Sequence, residues 1–290
     1  MRLFSIKAMV MLGMIGLTFT ACKKEEQKPE SLNVEESMHG VAKNDVITAD
    51  LFEQINLISH SFPEIRGESV SAKSTEGFGD DLLDHLDDYS CAKVKIESAP
   101  FKWPLKVVLD YGAGGCEDPK TQKLRKGKII LSYDKAWLST GCSVSITFED
   151  YWCGDTKFDG FCKISSTGLT KEGYLKFSLE CEGTKIHCEC VEKWACKKEI
   201  VWCNSKTALN IFDDYYSITG WGQGSDSKGN FFSEKITKAL KKKAFCAWIC
   251  EGTVELKTNS VSLCTMDYGN GDCDKKATLT INGNTKQIDL

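Results

Sequence analysis

The sequence predicts an all-β body, built from antiparallel hairpins that form a sandwich or strongly curved sheet, with a short N-terminal helix and a tether ahead of it. Three observations carry that prediction. From Cys91 onward the hydrophobic period is two: Val144, Ile146 and Phe148 alternate with Ser143, Ser145 and Thr147, and Leu175, Phe177 and Leu179 alternate with Tyr174, Lys176 and Ser178. Turn dipeptides such as Asp159-Gly160 and Asn282-Gly283 separate the β-rich runs, among them Lys128 to Tyr133 and Ala277 to Ile281. Fifteen cysteines lie in a chain of 290 residues, a density suited to an oxidising compartment.

Taken in order, the elements begin with an export signal. Arg2 and Lys7 precede or flank a nearly uncharged apolar stretch from Ala8 to Phe19, and the small residues Thr20 and Ala21 stand directly before Cys22. The stretch is shorter than the about 20 apolar residues that span a bilayer, so residues 1–21 read as a removable signal peptide. Phe19-Thr20-Ala21-Cys22 resembles the bacterial lipobox, with Phe where Leu is usual. The resemblance implies diacylation of Cys22 as the new N-terminus and anchoring to a membrane, each buried methylene contributing about 0.8 kcal/mol. Lys23-Lys24-Glu25-Glu26 resembles the Lys-then-acidic tags that follow the lipid cysteine of some surface lipoproteins. It implies an outer-membrane address, on the periplasmic or cell-surface face.

Residues 22–88 read as a lipidated tether carrying a short amphipathic helix. Residues 31–47 are polar and are expected to be loose. Leu51, Ile55 and Ile58, with Phe52 beside them, recur at helical spacing, and Asp50 followed by Glu53 has the spacing of a capping box, which predicts a helix over 49–60. Residues 66–79 are rich in Ser, Gly and Lys, and a further helical turn is expected over 80–88. The acids there lack the spacing and turn glycine of a calcium loop.

Residues 89–290 form the disulfide-rich β domain, with room for roughly a dozen strands. Asp110-Tyr111-Gly112-Ala113-Gly114-Gly115-Cys116 matches Asp267-Tyr268-Gly269-Asn270-Gly271-Asp272-Cys273, and Phe148-Glu149-Asp150-Tyr151 is echoed by Phe212-Asp213-Asp214-Tyr215, which suggests two related halves. At these motifs, and at Arg125-Lys126-Gly127-Lys128-Ile129 and the C-terminal run to Gly283, the chain resembles a large, functionally uncharacterised family of bacterial lipoproteins. The resemblance covers residues 91–290 and implies an exported β-rich lipoprotein without supplying an activity. Nine further cysteines between Cys142 and Cys264 depart from the family pattern.

Setting Cys22 aside leaves fourteen cysteines, an even set that reads as disulfides in an exported chain. If residues 244–250 form a strand, Cys246 and Cys250 stand too far apart to bridge, since a disulfide tolerates no more than about 7 Å between Cα atoms. The pairing expected is Cys91 with Cys116 and Cys246 with Cys273, each tying a Gly-rich turn to another strand. Inward cysteines at 181, 188 and 190, the last two on the face of Ile186, read as a ladder of cross-links.

Several chemistries lack their signatures. There is no Cys-x-x-Cys pair, His-Glu-x-x-His, Gly-x-Ser-x-Gly or phosphate-binding Gly-x-x-x-x-Gly-Lys. Removing Arg2 and Lys7 with the signal leaves 35 basic against 41 acidic residues, a net of −6, which argues against nucleic acid as a partner. Asp110, Glu117 and Asp118, and equally Asp267, Asp272 and Asp274, offer oxygen ligands, but the glycines among them are what tight turns need. No cofactor, metal or catalytic residue is expected. The aromatics Trp152, Trp194, Trp202, Trp221, Tyr215, Tyr216, Phe231 and Phe232 supply either strand packing or a platform for a glycan or protein partner. The expectation is a non-enzymatic binding or structural envelope role. The alternatives are a secreted hydrolase with an unrecognised acidic site and a thiolate metal-binding protein.

Overall fold

The computed structural model describes residues 31–66, 90–97, 102–187, 190–203, 214–227, 229–244, 246–259 and 264–290. Cys22, Cys188 and the acidic segment 80–88 lie outside the described residues. Two helices come first, α1 (Ser31–Ser61) and α2 (Pro63–Arg66). Fourteen strands follow: β1 (Lys93–Ile96), β2 (Leu105–Asp110), β3 (Cys116–Glu117), β4 (Leu124–Tyr133), β5 (Ser143–Cys153), β6 (Thr156–Leu169), β7 (Leu175–His187), β8 (Cys190–Cys203), β9 (Tyr215–Asp226), β10 (Phe231–Lys243), β11 (Glu251–Thr258), β12 (Cys264–Asn270), β13 (Lys276–Ile281) and β14 (Asn284–Asp289). They make one all-antiparallel sheet in the order β1-β2-β4 and then consecutively to β14, with β3 pairing only β4. The all-β expectation is met, and the architecture is a single strongly curved sheet.

Curvature follows from a simple distance argument. From β2 to β12 there are nine strand steps, which in a flat sheet would span about 43 Å. Yet side chains from both places reach one helix: Tyr111, directly after β2, donates to Gln54 Oε1 at 2.6 Å, and Tyr268 of β12 donates to Asp45 Oδ2 at 3.1 Å. The sheet must therefore curl around α1. Register shifts bend it, as between Lys126 and Lys128 on β4 and between Thr147 and Tyr151 on β5. Close backbone approach does the same. Gly127, at φ 81°, and the facing pair Gly160 and Gly183 have no room for a Cβ, which would lie 2.1 to 2.3 Å from carbonyl oxygens of the neighbouring strand.

The helix is longer than the sequence pattern suggests and belongs to the core. Residues 31–47, expected to be loose, are helical, and the 49–60 helix is the C-terminal part of α1. The reason is that polar and apolar side chains alike are buried between Val41 and Ser59, so this part of α1 carries no single apolar stripe. Phe52, Ile55 and Ile58 are buried, and so are Asn44, Asp45, Asp50, Glu53, Gln54 and Asn56. Asp50 is not an N-cap. It sits inside the helix, accepts from Gln54 Nε2 at 2.8 Å and pairs with Arg125 of β4. Apolar packing is centred where Phe52 meets Trp137, Phe177 and Tyr216 at ring separations of 6.1, 5.1 and 5.2 Å.

Two strand expectations are corrected. Residues 246–250 are not a strand: β10 ends at Lys243 and β11 begins at Glu251. At the end of β7 it is Lys185 that is buried against the helix, while Ile186 is only half-buried. An interior that holds helix carboxylates and amides takes lysines where an apolar core would take isoleucine.

Candidate functional site

The interior between α1 and the sheet is a run of buried charge pairs. At one end, Lys185 Nζ donates to Asn44 Oδ1 at 2.6 Å and lies 2.7 Å from Glu192. One residue on, Lys198 of β8 pairs with Asp45 of the helix and stands 3.0 Å from Glu234 of β10. Gly222, opposite Glu234 in register, leaves the space that this side chain fills. Further along, Lys242 Nζ meets Glu53 Oε2 at 2.5 Å, and Lys120 Nζ lies 3.2 Å from Asp50 and 3.4 Å from Glu53. Arg125 closes the series with Asp50 at 2.9 Å, Asp118 at 2.7 Å and the Tyr151 hydroxyl at 2.7 Å.

These environments divide the carboxylates. Burial alone would raise the Asp50 carboxyl, but Arg125, Lys120 and Lys242 outweigh it and hold it well below the usual range. Burial also opposes the charge on Lys198, yet Asp45 and Glu234 win and keep the ammonium more basic than usual. Glu234 goes the other way: burial and the Asp45 charge push its carboxyl up to about 7, with Lys198 only partly offsetting them. Each buried acid named here faces a cation of the same network, so the interior reads as a scaffold closed by its own helix.

The two Asp-Tyr-Gly-x-Gly-x-Cys motifs have the same construction. The aspartate caps its turn, Asp110 accepting from Gly112 N at 2.8 Å and Asp267 from Gly269 N at 2.9 Å. The tyrosine turns inward to α1, and the glycine takes a positive φ of 75° or 95°. The cysteine bridges backward, Cys116 to Cys91 and Cys273 to Cys246. Asp118 accepts from the Lys120 and Thr121 amides at 3.0 and 2.8 Å, and Asp274 from Lys276 N at 3.0 Å. Asp110, Asp118, Asp267 and Asp274 are thus turn caps first. Of the second repeat, 212–213 lie outside the described residues.

Sulfur is only partly cross-linked. A third bridge joins Cys162 to Cys181 on neighbouring strands. Among the described residues Cys142, Cys153, Cys196, Cys203 and Cys250 are free thiols, which corrects the expectation of complete pairing. Cys142 and Cys196 are buried, and that burial pushes both thiols up to about 12, so each is held as a neutral thiol. Among the described residues only Cys246, Cys250 and Cys273 bring three sulfurs within 4.8 Å of one another. Two of them are spent in a disulfide, so the cluster offers a metal one thiolate.

The aromatic group splits between core and surface. Trp194, Trp202, Tyr216 and Phe232 are buried, whereas Trp221 and Phe231 are 43% and 44% exposed. Phe161, 38% exposed, completes the surface set; alternation in β6 hid it among polar neighbours. Phe161 and Phe231 flank a shallow concavity of about 520 Å³ on the outer face of β6 to β10, floored by Glu182, Thr184, Lys193 and Gln223. Surface ion pairs lie elsewhere on that face, such as Lys197 with Glu180 at 2.6 Å. Among the described residues no helix is long and apolar enough to cross a membrane. No family model, curated protein or solved structure matches the chain.

Proposed function

We propose that this chain is an exported, lipid-anchored binding protein of the outer membrane that recognises a glycan through the outer concavity between Phe161 and Phe231. The observation that carries the reading is the contrast between the two faces of the sheet. The inner face is filled by α1 and its ion pairs, while the outer face keeps the rings of Phe161 and Phe231 exposed beside polar side chains. Rings of this kind stack on the apolar faces of sugars, and Glu182, Lys193 and Gln223 supply directed hydrogen bonds to hydroxyls. The lipobox resemblance at Cys22 and the signal before it support the anchor. The disulfides support export, because such bonds persist outside the cytosol.

The test is a glycan array probed with the purified protein, repeated with Phe161→Ala and Phe231→Ala. The expected result is binding to a defined glycan class that falls at least tenfold in either variant while thermal stability is unchanged. Capture of a protein partner with no glycan bound, or glycan binding indifferent to both rings, would contradict the assignment.

A further inference from the structure

The free thiol of Cys250 lies beside a disulfide that it can rearrange. Cys250 is fully buried, and its Sγ stands 3.5 Å from Sγ of Cys246, which is bonded to Cys273. The loop that holds them is pinned on both sides. Cys250 N donates to Lys241 O at 2.8 Å, and Gly271 N, from the turn that carries Cys273, donates to Cys250 O at 2.9 Å. Lys242 Nζ donates to the Cys246 carbonyl as well as to Glu53, so the loop rests on the charge network of the interior. The two ends of the bridge differ in access: Cys246 is buried and Cys273 is exposed.

We infer that the Cys246, Cys250 and Cys273 cluster is a disulfide-exchange site that moves the free thiol from the buried Cys250 to the exposed Cys273. A local opening of the 246–250 loop admits water, Cys250 gives up its proton to it, and the thiolate attacks Sγ of Cys246. The Cys246–Cys250 bond forms, the Cys246–Cys273 bond breaks, and Cys273 leaves as a thiolate that takes up a proton. One disulfide and one thiol are present before and after, so there is no net oxidation and no outside oxidant or reductant takes part.

Geometry also explains why the exchange waits. Attack at sulfur runs along the line of the breaking bond, and three sulfurs this mutually close form a bent triangle at Cys246. A rotation of Cys250 about its Cα–Cβ bond must come first. At present that thiol is also 3.6 Å from the carbonyl of Trp248, to which it donates. Once released, the Cys273 thiolate is placed at the surface to form a mixed disulfide with a small disulfide, expelling one thiolate.

Sequence makes the test clean. Trypsin cuts after Lys243, Lys257 and Lys275, so Cys246 and Cys250 share one peptide and Cys273 lies in the next. The folded protein is incubated with N-ethylmaleimide at pH 7 and pH 8.5, then digested without reduction. The expected result is label on Cys273, an internal bridge in the 244–257 peptide, and faster labelling at the higher pH. Label on Cys250 with the two peptides still joined would overturn the inference, and so would no label on either. In Cys250→Ala and Cys250→Ser, labelling of Cys273 should fall at least tenfold; unchanged labelling in a folded variant would likewise overturn it. If neither variant folds, the wild-type peptide map decides alone.

Discussion

Tyr268, on the twelfth strand, donates its hydroxyl to Asp45 Oδ2 at 3.1 Å, and Asp45 is the same residue that neutralises Lys198. Its counterpart Tyr111 reaches Gln54, nine residues and about 14 Å further along the helix. The repeated turn motif thus places one phenol at each of two levels of α1. Tyr111→Phe leaves the Gln54 carbonyl oxygen buried without that donor, which should cost about 1–3 kcal/mol. Tyr268→Phe should cost a similar amount, and urea unfolding of the two variants measures both.

Lys198 is shared by Asp45 and Glu234. Replacing it with methionine strands two buried carboxylates, and losing one partner of such a pair costs about 3–5 kcal/mol. Adding Asp45→Asn and Glu234→Gln to Lys198→Met removes the stranded charges and should recover part of the loss. A triple variant no more stable than the single one would mean that charge pairing is not what holds the helix at this level.

Glu234 gives the fold a pH signature. Its carboxyl is raised to about 7 in the folded chain, from an ordinary 4.5. Folding therefore favours the protonated form: the stabilisation is complete below pH 4.5 and is lost as pH rises through 7. Asp50 is shifted the opposite way, and its contribution is lost only in strong acid, outside this window. The wild-type thermal midpoint should rise on acidification from pH 7.5 to 5. Glu234→Gln should flatten that slope, as calorimetry across the range will show.

The bridge between Cys91 and Cys116 closes a loop of 25 residues, worth about 3 kcal/mol in the loop-entropy model. Replacing both cysteines with alanine should lower stability by that order and loosen the turn that aims Tyr111. A cost below about 1 kcal/mol in denaturant titration would show that the turn is held by its aspartate cap alone.

Much of the sheet was legible in the sequence because alternation survives wherever one face meets water. Val144, Ile146 and Phe148 are an example, two of the three fully buried and the third packed against the core. The helix was not, because burial of polar and apolar side chains alike erases the stripe that sequence periodicity detects. Asp50 and Glu53 have the spacing of a capping box and Asp45 falls in a polar stretch, until Lys198, Arg125 and Lys242 arrive from strands 75 to 189 positions away. The bridges run from Cys91 to Cys116 and from Cys246 to Cys273, but the strand geometry expected to keep Cys246 from Cys250 is not there. The loop at 246–250 sets Cys250 against Cys246, where a strand would have kept them apart. Phe161 escaped notice because a single aromatic among polar outward residues carries no pattern.

Amide hydrogen exchange along α1 tests the central claim, that this helix is the core of the body and not part of its tether. Residues 41–59 should exchange as slowly as β6, β7 and β8, since their opening requires breaking the pairs with Lys198, Lys242 and Arg125. Exchange of those amides within seconds, while the strands stay protected, would place the helix outside the sheet and contradict the account.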